Sequence, residues 1–414
     1  MTFRDFLFDH DHPRLARVRG LGAYDYREHA REDDFTGGLV RGWTPLYDQD
    51  LVGITEDGTL RTGLHRLEPA RDDERAPVEA MVVAAEHLLA AVTPGDRDRL
   101  TYAVDAVEWQ RWANPEFLQH DTGLRLEHQP PEVVDAALAL VAASLSPEGD
   151  ELVRRMRQLN GFLGEVVDLP TVLNELSYQV ALFGTPDPVA PWGWQLFGHH
   201  VAVSCLVVEG RMALGPVFLG AEPDVIDAGP HARPGEAPPY ARRIELATDL
   251  MAALPAEQVA AAVAYEQMVD PAMPPGRVHP GDERHLGGAF QDNRVIPFEG
   301  APVRGMPPAA RQLVVDLVAE WLTLLPAGPR AARLREVVGH LDDTWVSWIG
   351  GHRRGDVFYV RVQSPVVLVE LDHHCGVFLD HATPQPFHIH TVMRTPHGND
   401  YGRAWVRAWQ EQHP

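Results

Sequence analysis

The chain contains no lysine: all 36 of its basic residues are arginine, set against 59 acidic ones. Without lysine there is no Schiff-base chemistry, no lysine-anchored pyridoxal phosphate and no phosphate-binding loop of the kind that needs its Lys. Positive charge is also scarce, with a formal net charge of -23. That argues against nucleic acid, whose binding releases counterions only where cations neutralise phosphates, and it disfavours an anionic membrane surface for the same reason. Cys205 and Cys375 are the only cysteines, too few for a disulfide framework. Two small buried residues account for them. No apolar run approaches the ~20 residues a membrane helix requires. Asp5 and Asp9 stand where a secretory leader would be basic and then apolar. The composition therefore predicts a cytoplasmic protein whose partner is a small molecule.

What is present is enough apolar material, 45% of 414 residues, to bury a large core. Residues 1–69 show little apolar periodicity and read as an extended arm or small irregular β segment. Residues 70–414 read as one domain. Helices are expected over residues 78–92, 131–143 and 256–268. Another follows Ser146-Pro147, an N-cap and first-turn proline. Its Leu152, Met156, Leu159 and Leu163 form one stripe, as do Leu313, Leu317, Trp321 and Leu324 further on. Strand signals cover 201–208 and 212–219, a hairpin in which Pro216 points to an edge or a bulge. Four more cover 345–348, 357–362, 366–371 and 387–393. The loop over 279–300 is long enough to suspect a lid. Helices and strands come in separate blocks, so the expected fold is α+β. A helical N-terminal half packs on a mainly antiparallel sheet that contains the His199/His200 hairpin and the C-terminal strands.

Chemistry concentrates near the C-terminus. His388 and His390, one residue apart on an expected strand, point to the same face and can clamp one ion. Glu370 interrupts an apolar strand and needs a cation, a metal or several donors. If that strand is unbroken, Glu370, Asp372 and His374 share a face and His373 takes the other. His199-His200 is expected to open the 201–208 strand, with His200 the third ligand by parity and His199 the alternative. Glu222, at the end of the hairpin, is a second carboxylate candidate for fourth ligand or general base. Arg394 would anchor an anionic substrate through its planar fork, Asp400 would orient a liganding imidazole, and Trp192, Trp194 and Tyr401 would wall a pocket.

Four blocks of the sequence, Pro191-Trp-Gly-Trp-Gln-Leu-Phe-Gly-His-His200, Pro216-Val-Phe-Leu-Gly-Ala-Glu-Pro223, Val369-Glu-Leu-Asp-His373 and His388-Ile-His-Thr-Val-Met-Arg394 with Asn399-Asp-Tyr-Gly402, occur in this order. As a set they resemble the signature blocks of the family catalogued as domain of unknown function 3500. The resemblance implies that the blocks act as one unit and implies no activity. The residues themselves point to a divalent metal, zinc or iron with copper as a further choice. Such a site would serve hydrolysis of a small, anionic molecule by metal-bound water. The alternatives are an iron or copper oxidoreductase on the same site, and a non-catalytic small-molecule binder walled by Trp192, Trp194, Trp345 and Trp348.

Overall fold

Alternation along the strands decides the architecture. In the computed structural model, which describes residues 1–414, the central strands are buried on both faces, yet the two faces differ in chemistry. Val201, Val203, Cys205 and Val207 point into the larger apolar core, whereas Ala202 and Leu206 point into a smaller one on the other side. Eight strands build the sheet: β1 (Tyr178–Phe183), β2 (Trp192–Gly198), β3 (Val201–Val208), β4 (Arg211–Ala221), β5 (Trp345–Gly350), β6 (Phe358–Gln363), β7 (Leu368–His373) and β8 (Ile389–Arg394).

Their order across the sheet is β1-β2-β3-β4-β8-β7-β6-β5, antiparallel throughout. Two four-strand meanders thus meet at the β4/β8 pair. The short strands Thr101–Tyr102 and Val263–Tyr265 extend the two ends in parallel orientation, so the sheet is mixed and mainly antiparallel. The fold is α+β, as expected. Pro216 lies inside a central strand, next to the register shift between Val203 and Cys205. Its missing N–H falls at a bulge, which is how a sheet interior accepts proline.

Helices Val78–Ala91, Pro131–Ser144, Pro147–Val166, Ala241–Ala253 and Pro308–Trp321 cover one face, burying residues such as Met81, Leu140, Met156, Leu250 and Leu317 in the larger core. The Ser146 hydroxyl accepts the Gly149 N–H at 2.9 Å, the expected cap. The opposite face is covered by the N-terminal segment, the Trp109/Trp112 region and the last helix, Arg403–Gln412. No helix is long and apolar enough to cross a membrane.

Three local expectations are corrected. Residues 1–69 are not an extended arm: Ala23–Glu32 and Asp34–Trp43 are helices, and Tyr26, Ala30 and Trp43 pack into the smaller core. Asp33 joins them as a cap, accepting the N–H groups of Phe35 and Thr36. The helix expected over 256–268 ends at Ala262, because Val263–Tyr265 pairs with β5. His199-His200 does not open a strand. It is the two-residue turn between β2 and β3, with His200 at φ 61.

Two histidines remote from the turn tie this fold to pH. Burial, and then the charge of Arg333, push His65 down to about 4; burial, and then Arg111, push His120 down to about 4. The unfolded chain takes up these protons near the ordinary 6.5 and the folded chain does not. Stability is therefore full above pH 6.5 and falls as pH drops toward 4, by at most ~1.4 kcal/mol per pH unit per histidine. A His65→Gln/His120→Gln variant should show a flatter loss of urea midpoint between pH 7 and 4.5 than the parent. An identical slope would contradict this.

Candidate metal centre

The β4/β8 register sets Gly220 opposite His390. A Cβ on Gly220 would lie 2.7 Å from His200 Cδ2 and 2.9 Å from His390 Cδ2, closer than side-chain contacts tolerate. Glycine thus leaves the space through which the His200 ring reaches across β4. The Gly220 N–H donates to the His200 carbonyl at 2.9 Å and ties down the turn. A positive φ at a histidine costs about 1–3 kcal/mol, and such strain gathers at functional sites.

Three imidazole nitrogens converge as a result. His390 Nε2 lies 3.1 Å from His200 Nε2 and 3.1 Å from His388 Nε2. Around a tetrahedral ion with bonds of about 2.05 Å, ligand nitrogens stand about 3.3 Å apart, so this spacing suits one metal. All three rings are buried. Burial, then the neighbouring imidazoles, hold His200 and His390 well below the ordinary histidine range, and burial pushes His388 down to about 4. The rings are neutral at pH 7, the protonation state a metal requires.

The surroundings hold these rings in place. His199 stacks on His200 with ring centres 3.8 Å apart, and its Nδ1 meets Asn160 Oδ1 at 2.8 Å. Its role is to brace the third imidazole from behind. Glu222 Oε1 stands 3.7 Å from His388 Nδ1, and His381 joins the two. The Glu222 carboxylate accepts the N–H groups of Val377, Phe378 and Leu379. Burial pushes it up to about 7 despite these donors.

A second set adjoins the first. Nitrogens of His285, His374 and His390 lie within 4.8 Å of one another. His374 follows β7 and shares its face with Glu370 and Asp372, while His373 turns away and its Nδ1 meets the Phe358 carbonyl at 2.8 Å. Glu370 is not among the converging atoms. It accepts Leu286 N–H at 2.9 Å, Gly287 N–H at 2.8 Å and the Tyr359 hydroxyl at 2.6 Å, and its Oε2 faces His285 Nδ1 at 3.6 Å. Burial alone would raise Glu370; His285 and these donors hold it at about 2.

The remaining expectations fail for one reason, prior engagement. Arg394 is fully buried and its donors are spent on Asp400, Asp292 and the carbonyls of Gly287 and Gly288, so it presents no fork to a substrate. Asp400 serves Arg394 and the Thr395 N–H and does not orient an imidazole. Tyr401 donates to Asp292 and accepts from the Trp112 indole N–H, and it does not line the cavity that reaches the histidines. Trp192 and Trp194 lie in the larger core on the opposite face, with the Trp194 indole bound to Ser144 Oγ.

A cavity of about 670 Å³ reaches the centre and is lined by His199, His200, His374 and His390 together with Arg14, Trp43, Glu116 and Glu283. Sequence reasoning missed His285, His381 and Glu283. For Glu283 and His285 the signal available was the length of the 279–300 loop; His381 lies between β7 and β8, where no pattern marked it.

The family model described as protein of unknown function (DUF3500) matches residues 74–403, which include every imidazole of the centre. No curated protein and no solved structure matches the chain.

Two substitutions separate site from scaffold. Gly220→Ala should displace His200 and His390 and weaken zinc binding at least about 10-fold, read by chelator competition with the circular dichroism spectrum preserved; unchanged affinity would contradict the packing argument. Arg394→Ala leaves two buried carboxylates without their cation and should destabilise by about 3–5 kcal/mol in urea unfolding. A loss under about 1 kcal/mol would show that the Arg394 network carries little.

Proposed function

The chain belongs to the DUF3500 family, whose description names no activity, and we propose from its centre a metal-dependent hydrolase of a small molecule. The observation that carries this is the convergence of His200, His388 and His390 through Nε2. Three neutral imidazoles with a fourth position open to a cavity are the ligand set with which zinc lowers the pKa of a bound water to about 7 and makes it a nucleophile. The chain's own contribution is to keep the three rings unprotonated, to brace them through His199 and Glu222, and to enclose the substrate. The cavity at about 670 Å³ suits a small molecule. With Arg394 committed elsewhere, Arg14 and Arg17 on the cavity wall are the groups that would attract an anionic one.

The oxygenase alternative calls for two histidines and a carboxylate. Glu222 with His381 and His388 has that composition, but its carboxylate already accepts three backbone N–H groups, which favours the all-imidazole set. A non-catalytic binder walled by Trp192, Trp194, Trp345 and Trp348 loses three of the four, since Trp192, Trp194 and Trp348 point into the helical core, while the half-buried Trp345 stacks on Phe298.

Tag-free protein should purify with zinc and hydrolyse at least one member of an ester, phosphoester and amide panel. Activity should vanish on chelation, return with zinc, and fall at least about 100-fold in His390→Ala. Turnover that survives chelation, or a metal-free protein under varied preparation, would contradict the proposal.

A further inference from the structure

We infer that the centre takes a second metal ion, held by His285 and His374 with His390 shared between the two positions. The inference rests on the metal reading of the first set and goes beyond it. Nitrogens of His285, His374 and His390 lie within 4.8 Å of one another, a limit that His200, His388 and His390 also meet. These rings are also short of partners. His285 is buried, and neither Nδ1 nor Nε2 has a hydrogen bond; the same holds for His374 Nε2 and His390 Nδ1. Leaving both nitrogens of a buried imidazole unsatisfied is destabilising, and a cation between His285 and His374 would take up one nitrogen of each ring.

His390 joins the sets without using one atom twice. One ring can serve both ions only as a bridging imidazolate: Nε2, which faces His200 and His388, would take the first ion, and Nδ1, which has no hydrogen bond, would take the second after releasing its proton to solvent. Negative charge is supplied nearby. Glu370 Oε2 stands 3.6 Å behind His285, Asp372 Oδ2 is 3.2 Å from His374 Nε2, and Glu283 forms a further group with Asp372 and His374. Asp372 and Glu283 already pair with the buried Arg284, and Glu370 accepts three donors, so the second position rests on the unpartnered imidazoles and not on free acids.

The test is a zinc count on chelator-stripped, tag-free, full-length protein reloaded with zinc chloride, desalted and measured by mass spectrometry. Two ions per chain are expected in the parent, and one each in His285→Ala/His374→Ala and in His200→Ala/His388→Ala. One ion in the parent, retained by the first variant and lost in the second, would overturn the second position and leave the first standing. No ion in the parent would remove both. The parent count needs no variant to fold, and circular dichroism of each variant checks that a lost ion is not a lost fold.

Discussion

The pairing of β4 with β8 is the constraint on which the site depends. It joins the two meanders, puts Gly220 opposite His390, and so lets a ring from the β2–β3 turn lie against one from β8. Only the absence of a side chain at position 220 allows the two imidazoles to meet across a sheet spacing. The strand register is in turn held by the apolar face. Leu219 and Ala221 on β4, and Ile389 and Met393 on β8, are buried in the helical core, and a slip of one residue would exchange that face for the polar one.

The polar face is expensive, because a buried charge needs a partner and every lone pair a donor. Three networks meet that need, and all three grip the same loop. Asp372 binds Arg284 through side chain and backbone, Glu370 takes the Leu286 and Gly287 N–H groups, and Arg394 takes Asp292 and the Gly287 and Gly288 carbonyls. The segment that length alone suggested as a lid is instead fastened to the sheet. Its fastening brings His285 against the other rings.

Parity made part of this legible in the sequence. Period-two spacing told that His388 and His390 share a face and that His374 sides with Glu370 and not with His373, because β7 and β8 are regular strands in which alternation is a strict geometric rule. The same rule misled at His199-His200, where the backbone turns and a positive φ replaces alternation. Arg394 and Glu370 were ambiguous in principle. Substrate anchors and structural ion pairs use identical side chains, and the partners that decide the matter, Asp292 and the Leu286/Gly287 amides, lie about a hundred and about eighty residues away. The N-terminal helices had a visible stripe, Ala23, Tyr26 and Ala30, but it is short and set among charges, so only tertiary burial makes it decisive.

Burial keeps His200, His374, His388 and His390 uncharged, and several nitrogens of the cluster are left unpartnered, which is a poor arrangement for a structural core and a good one for binding a metal. X-ray absorption at the zinc edge of the reloaded protein tests this most directly. The account predicts a first shell of nitrogen or oxygen at about 2.0–2.1 Å with the outer-shell scattering of at least three imidazole rings. A shell without imidazole scattering, or zinc bound through sulfur at about 2.3 Å, would contradict it.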